Sequence, residues 1–166
     1  MQVVREVGKY PPDAFAFVQE GLTFTVANLH GELTEPQQTL HEFMTQNQLD
    51  FEQLLSLYQN EQLPEPIQEL ISRAGGLETF NRHVSGQSLC WGLRDFAVKR
   101  WGALARVVLH HWNIRRTQDF GEIVFALVEN DFLQKQSHDD KEDFQDVFPF
   151  EEAFDRAYHI DLHFSN

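Results

Sequence analysis

The chain has 166 residues, 42% of them hydrophobic, with 15 phenylalanines and three tryptophans, which suffices for one domain burying roughly 70% of its unfolded surface. A formal net charge of −13 opposes non-specific adhesion to nucleic acid or anionic lipid, and a single cysteine, Cys90, excludes an internal disulfide. The start MQVVREVGKYPPD has neither an apolar h-region nor a small-residue cleavage site, and no run approaches the ~18 apolar residues of a membrane span, so a cytoplasmic protein without a membrane partner is expected.

In chain order, MQVVREV alternates weakly and reads as an edge strand or a short helical turn. Residues 11–30 read as a helix, with Phe15, Val18, Leu22, Val26 and Leu29 on one apolar face, Pro12 and Asp13 in the first turn and His30-Gly31 at the end. Residues 32–81 change texture: glutamines accumulate and Arg73 is the one cation. Asp50 and Gln53 make a capping box for a helix carrying Phe51, Leu54, Leu55 and Tyr58. Pro64 and Pro66 interrupt it, and Ile67, Leu70, Ile71 and Ala74 mark a further short helix closed by Gly75-Gly76. With so few large apolar residues, 32–81 is expected to be a helical excursion packed on a single domain spanning 1–166.

Residues 82–116 carry seven cations against Asp95 alone, whereas residues 1–81 sum to −9 and 117–166 to −10. Ser85 is a good N-cap, and Val84 can staple onto Leu89. From there to Trp112 the apolar positions, Leu89, Leu93, Phe96, Ala97, Leu104, Val107 and Val108 among them, fill most of the helical wheel, leaving Asp95, Lys99, Arg106 and His110 on a narrow polar face. A helix apolar over so much of its circumference is expected to be the buried centre of the fold. Gly92 and Gly102 each cost about 1 kcal/mol against alanine, so close approach by another backbone is the expected reason for both. Asn113 can close this helix. Another begins at Thr117 or Asp119, with Asp119 and Glu122 as a second capping box and Phe120, Ile123, Val124, Leu127 and Val128 as its apolar face. Residues 132–136 and 144–150 then suggest a small β-hairpin flanking an acidic loop, before a last helix over 151–158 and the tail 160–164. The predicted fold is thus mainly α, a single helical domain around a buried central helix with a C-terminal hairpin, an order compatible with a winged helix.

The runs HVSGQSLCWGLRDFAVKRWG, WNIRRTQDFGEIVFALVE, and DFQDVF followed by FEEAFD resemble a small bacterial family found mainly in planctomycetes and verrucomicrobia, and FAFVQEGLTFTVANLHGE resembles that family's opening helix. The resemblance covers residues 10–32 and 82–158. It implies a compact cytoplasmic domain and, since the family has no assigned activity, no catalytic residue. Two departures stand out: 36–80 is longer than in the family, and Asn113 replaces a usual glycine.

Candidate chemistry is sparse. Helical phase puts Arg94 and Arg100 off the polar face, where a guanidinium needs a carboxylate, and Glu122 and the acidic C-terminal segment are the expected partners. These arginines with Glu122 could bind a small anion, with His83 available for proton transfer, or they could be salt bridges locking two helices; the structural alternative is favoured. His110 and His111 point about 100° apart on a helix and do not share a metal, and no HExxH or cysteine pair occurs. The acidic loop lacks calcium-loop spacing, Asp119-Phe120-Gly121 copies a kinase triplet without the rest of a kinase, and no cofactor motif is found. Cys90 beside Leu89 and Trp91 reads as core more than as a nucleophile. In a winged helix, recognition would fall to 117–130, whose Asp119, Glu122 and Glu129 would repel phosphate, so direct nucleic-acid binding is disfavoured. The sequence favours a non-catalytic interaction or scaffold domain with a protein partner or self-association; the alternative is a small-anion-binding enzyme or ligand-binding protein using Arg94, Arg100 and Glu122.

Overall fold

A computed structural model describes residues 8–133 and 139–155. It is mainly helical, with seven α-helices among those residues, and it divides into two compact units, one of residues up to 28 and from 84 onward, the other of residues 29–83. The N-terminal MQVVREV and the tail 160–164 lie outside the described residues.

The first unit is built on α1 (Pro12–His30), α5 (Gly86–Trp101), α6 (Ala105–His111) and α7 (Thr117–Glu129). Ser85 caps α5 as its sequence suggests, its hydroxyl accepting the N–H of Ser88 at 3.1 Å. The aromatic surplus does the packing. Phe17 of α1 lies 5.4 Å from Phe96, 5.3 Å from Trp101 and 5.8 Å from Trp112, ring centre to ring centre, which ties α1 to α5 and to the end of α6. A second aromatic group joins Phe120 of α7 to Phe150, which in turn meets Phe148 and Phe154. Such offset and edge-on pairs add about 0.5–1.5 kcal/mol each beyond area burial.

Two expectations for this unit are corrected. The central helix is not continuous over 85–112: it stops at Trp101, turns through a 3₁₀ segment at Gly102–Leu104 and restarts at Ala105. Gly102 makes the break with φ 55° and ψ −127°, a conformation that side chains with a Cβ avoid, so its backbone freedom is a reason for glycine here. The rod is buried along Gly86, Leu89, Cys90, Leu93 and Ala97 and then Ala105 and Leu109, while Leu104 and Val107 are more than three-fifths exposed. The other correction concerns residues 144–150, which are not a strand. Asp140 caps a 3₁₀ turn over Lys141–Phe144, Asp146 takes φ 47°, and Glu151–Asp155 wind as one π turn. Phe144, Phe148 and Phe150 are all buried, so their even spacing reflects a loop wrapped over the core and not a pleat. The proposed partner strand falls largely on 134–138, outside the described residues.

The second unit contains α2 (Glu35–Gln46), α3 (Phe51–Gln59), α4 (Glu65–Arg73) and a 3₁₀ turn at Leu77–Phe80. The Asp50–Gln53 box forms in full, Gln53 N donating to Asp50 Oδ1 at 2.7 Å and Asp50 N to Gln53 Oε1 at 2.9 Å. Leu40, Leu54, Leu63, Ile71 and Leu77 are buried against one another, with Phe43, Phe51 and Ile67 packed around them. The apolar residues of this segment thus pack on one another in a cluster of their own. Its two ends are held together, Arg82 Nη2 donating to Gly31 O at 2.6 Å and His30 Nε2 lying 3.1 Å from His83 O.

Candidate functional site

The densest polar constellation sits at the start of α7. Asn113 takes φ 63° and ends α6, Arg116 is extended, and Asp119, the third helical residue, turns back to accept the N–H groups of Arg115 at 2.8 Å and Arg116 at 3.1 Å through Oδ2. The helix begins at Thr117, one of the two expected starts, with Arg116 and not Asp119 as its N-cap, and the box is one-sided, because an arginine side chain has no acceptor to return. The other oxygen of Asp119 receives the Tyr10 hydroxyl at 2.8 Å and the Lys9 ammonium at 2.9 Å. One turn on, Glu122 Oε2 lies 2.7 Å from Tyr10 Oη and 3.0 Å from Lys9 Nζ.

This geometry fixes the protons. A phenol has one hydrogen and cannot donate fully to two carboxylates, so the ammonium of Lys9, with three, bridges them. Burial drives the Tyr10 phenol far above its ordinary pKa, and the facing carboxylates of Glu122 and Asp119 push it the same way. Burial would raise the Asp119 carboxyl, but the Arg115 N–H, Lys9 and Tyr10 outweigh it and hold the group below the usual carboxylate value. Burial opposes the charge of Lys9 as well, and Asp119 and Glu122 more than compensate, so its pKa is raised. A phenol so held is neither base nor nucleophile, and the N–H groups of Arg115 and Arg116 just before α7 already hold a carboxylate. The cluster is a latch between Lys9-Tyr10 and α7.

The residues singled out in the sequence are dispersed. Arg94 Nε lies 2.7 Å from Asp95 Oδ1 without hydrogen-bond alignment, Arg94 Nη1 donates to Ala153 O at 3.4 Å, and the guanidinium stacks over Trp91. Arg100 Nη1 donates to Glu20 Oε2 at 2.7 Å on α1. Six helical residues separate the two arginines, which sets them about 9 Å apart along the axis and 120° apart around it. Glu122 faces neither; it belongs to the Tyr10 latch. His83 lies in the 29–83 unit, its carbonyl facing His30. Arg94, Arg100 and Glu122 are thus not brought together.

Cys90 is fully buried, and burial pushes its thiol up to about 12. A thiolate is the reactive form, so the native protein is expected to resist alkylation by iodoacetamide at pH 8 and to react fully once unfolded in guanidinium. Mass spectrometry of the intact chain reads this directly, and rapid native alkylation would contradict the packing described. Among the described residues no group of three or more His, Cys, Asp or Glu is placed to hold a metal, and no helix is long and apolar enough to cross a membrane. In the 29–83 unit an open groove of about 390 Å³ lies between α2 and α4, lined by Pro36, Thr39, Pro66 and Leu70, but the Arg73–Glu69 pair on its rim is closed at 2.6 Å.

A surface feature at α6 escaped the sequence reading. Ala103, Leu104, Val107, His110 and His111 are all exposed, Leu104 at 63% and Val107 at 62%. Spacings of three and four residues put Leu104, Val107 and His111 on one side. Exposed Lys99 and Arg100 precede this ridge, exposed Arg115 and Arg116 follow it, and Lys99–Arg116 contains no Asp or Glu. Arg100 and Arg106 find acids on other segments, Arg106 Nη1 donating to Asp155 Oδ2 at 2.9 Å. Lys99, Arg115 and Arg116 have no ion pair among the described residues. No family model, curated protein or solved structure matches this chain.

Proposed function

We propose that this chain is a non-catalytic interaction domain whose docking face is the outer side of α6. The observation that carries the reading is the solvent-facing pair Leu104 and Val107 set in an acid-free cationic segment of a chain with net charge −13. Exposed apolar side chains cost nothing singly, but a pair on one ridge with charged margins has the makeup of an interface centre and rim. The alternative small-anion reading has less support, because Arg94, Arg100 and Glu122 each spend their charge on different neighbours. The resemblance of residues 10–32 and 82–158 to the planctomycete and verrucomicrobial family fits the reading and supplies no catalytic residue.

The test is a charge introduced on the ridge. Leu104→Glu with Val107→Glu is expected to leave stability within about 0.5 kcal/mol, both sites being solvent-exposed. The same pair is expected to abolish retention of the proteins that the wild-type chain retains from lysate of the cells that make it. A partner retained equally by both forms, or a strict monomer retaining none, overturns the reading.

A further inference from the structure

Resting on that reading, we infer that the α6 face takes an acidic segment of a partner protein, one carrying two apolar side chains a helical turn apart with carboxylates at either end. The match is to the spacing and charge of the face itself. Leu104 and Val107 lie three residues apart at its centre; in the chain Lys99, whose ammonium lies over the Phe24 ring, precedes it, and exposed Arg115 and Arg116 follow it. Two cations of the same stretch are neutralised by acids of other segments, Arg100 by Glu20 and Arg106 by Asp155. Arg115 and Arg116, exposed and without an ion pair among the described residues, mark where acids from outside would sit, since complementary charge fixes register and raises encounter rate.

Other occupants fit less well. A second copy pairing the same face on itself, the usual symmetry of dimers, would set these cations against their own duplicates. A nucleic acid would meet an apolar centre, and the N–H groups of Arg115 and Arg116 are taken by Asp119. A membrane surface calls for a longer amphipathic helix than the seven residues of α6.

The experiment uses the full chain with a photo-crosslinking phenylalanine derivative at Val107, made in its own cells, irradiated, and read by peptide mass spectrometry of the adducts. The expected adduct is a protein segment with Asp or Glu on both sides of an apolar pair. Adding Arg115→Glu and Arg116→Glu is expected to lower its yield at least ~10-fold, as reversal of interface charges slows association. Adducts to a neutral or basic segment, to a second copy, to RNA or to lipid overturn the inference while leaving the docking face standing. So does a yield indifferent to the reversal. No adduct of any kind overturns both. Circular dichroism of each variant, expected to match wild type because these positions are exposed, separates loss of binding from loss of fold.

Discussion

Asp119→Ala is expected to destabilise the protein by about 3–4 kcal/mol, in the range for stripping one partner from a buried charge network. The carboxylate is 3% exposed and accepts from four donors: the N–H groups of Arg115 and Arg116, the Tyr10 hydroxyl and the Lys9 ammonium. Alanine leaves the N–H groups of Arg115 and Arg116 without their acceptor and the Tyr10 hydroxyl facing Glu122 alone. Tyr10→Phe removes the phenolic donor but keeps the ring and the Lys9 bridge, so about 1–2 kcal/mol is expected there. Denaturant melts of the three proteins check the order; equal stability of Asp119→Ala and wild type would show that the latch holds nothing.

The same latch sets a pH window. The Asp119 carboxyl has its folded pKa below the unfolded value of about 4, so its stabilisation is complete above that value and is lost as pH falls through the folded one. Tyr10 and Lys9 have raised pKa values, so their contribution is complete below about 10 and fades only in more alkaline solution. The stability difference between wild type and Asp119→Ala is therefore expected to be flat between about pH 5 and 9 and to shrink below pH 4. A difference that grew on acidification would contradict the hydrogen-bond geometry.

What could be read in the sequence was local. The helices at Pro12–His30, Phe51–Gln59, Glu65–Arg73 and Thr117–Glu129 follow from apolar period and caps that lie within a few residues of each other. The helix Glu35–Gln46 went unread because glutamines dilute its period, although Thr34, Pro36 and Gln37 signal its start and Leu40, Phe43 and Met44 its inner face. The break at Gly102 leaves no trace in apolar spacing, since Leu104 and Val107 continue the rhythm while facing solvent. Long-range pairing was the least accessible. Helical phase put Arg100 off the polar face, but nothing local told that Glu20 would meet it, or that Tyr10 and Asp119 would join across 109 residues. The core of the 29–83 unit draws single residues from several short elements, a sum that no window displays.

Gly92→Ala tests the contact on which α1 and α5 meet. A Cβ at this position would fall inside the side chain of Thr25, meeting its Oγ1, Cγ2 and Cβ together. Thr25 cannot step aside easily: it is buried, and its hydroxyl donates to Gly21 O at 2.6 Å. Gly21 repeats the arrangement from the other helix, with Leu93 pressed against the place of its missing Cβ. Alanine would raise helix propensity by about 1 kcal/mol, which argues for stabilisation if the site were open. Overpacking a close-packed contact costs about 1–3 kcal/mol and sometimes more, and the displaced atoms here are backbone-proximal, so the steric term is expected to win. The net expectation is a loss of about 2 kcal/mol and a fall in Tm of about 6 °C. Thr25→Ala removes Oγ1 and Cγ2, two of the three clashing atoms, so the double variant is expected to lose at least about 1 kcal/mol less than the sum of the two single losses. Additive losses, or a stabilised Gly92→Ala, would mean that the two helices do not approach as closely as their glycines require.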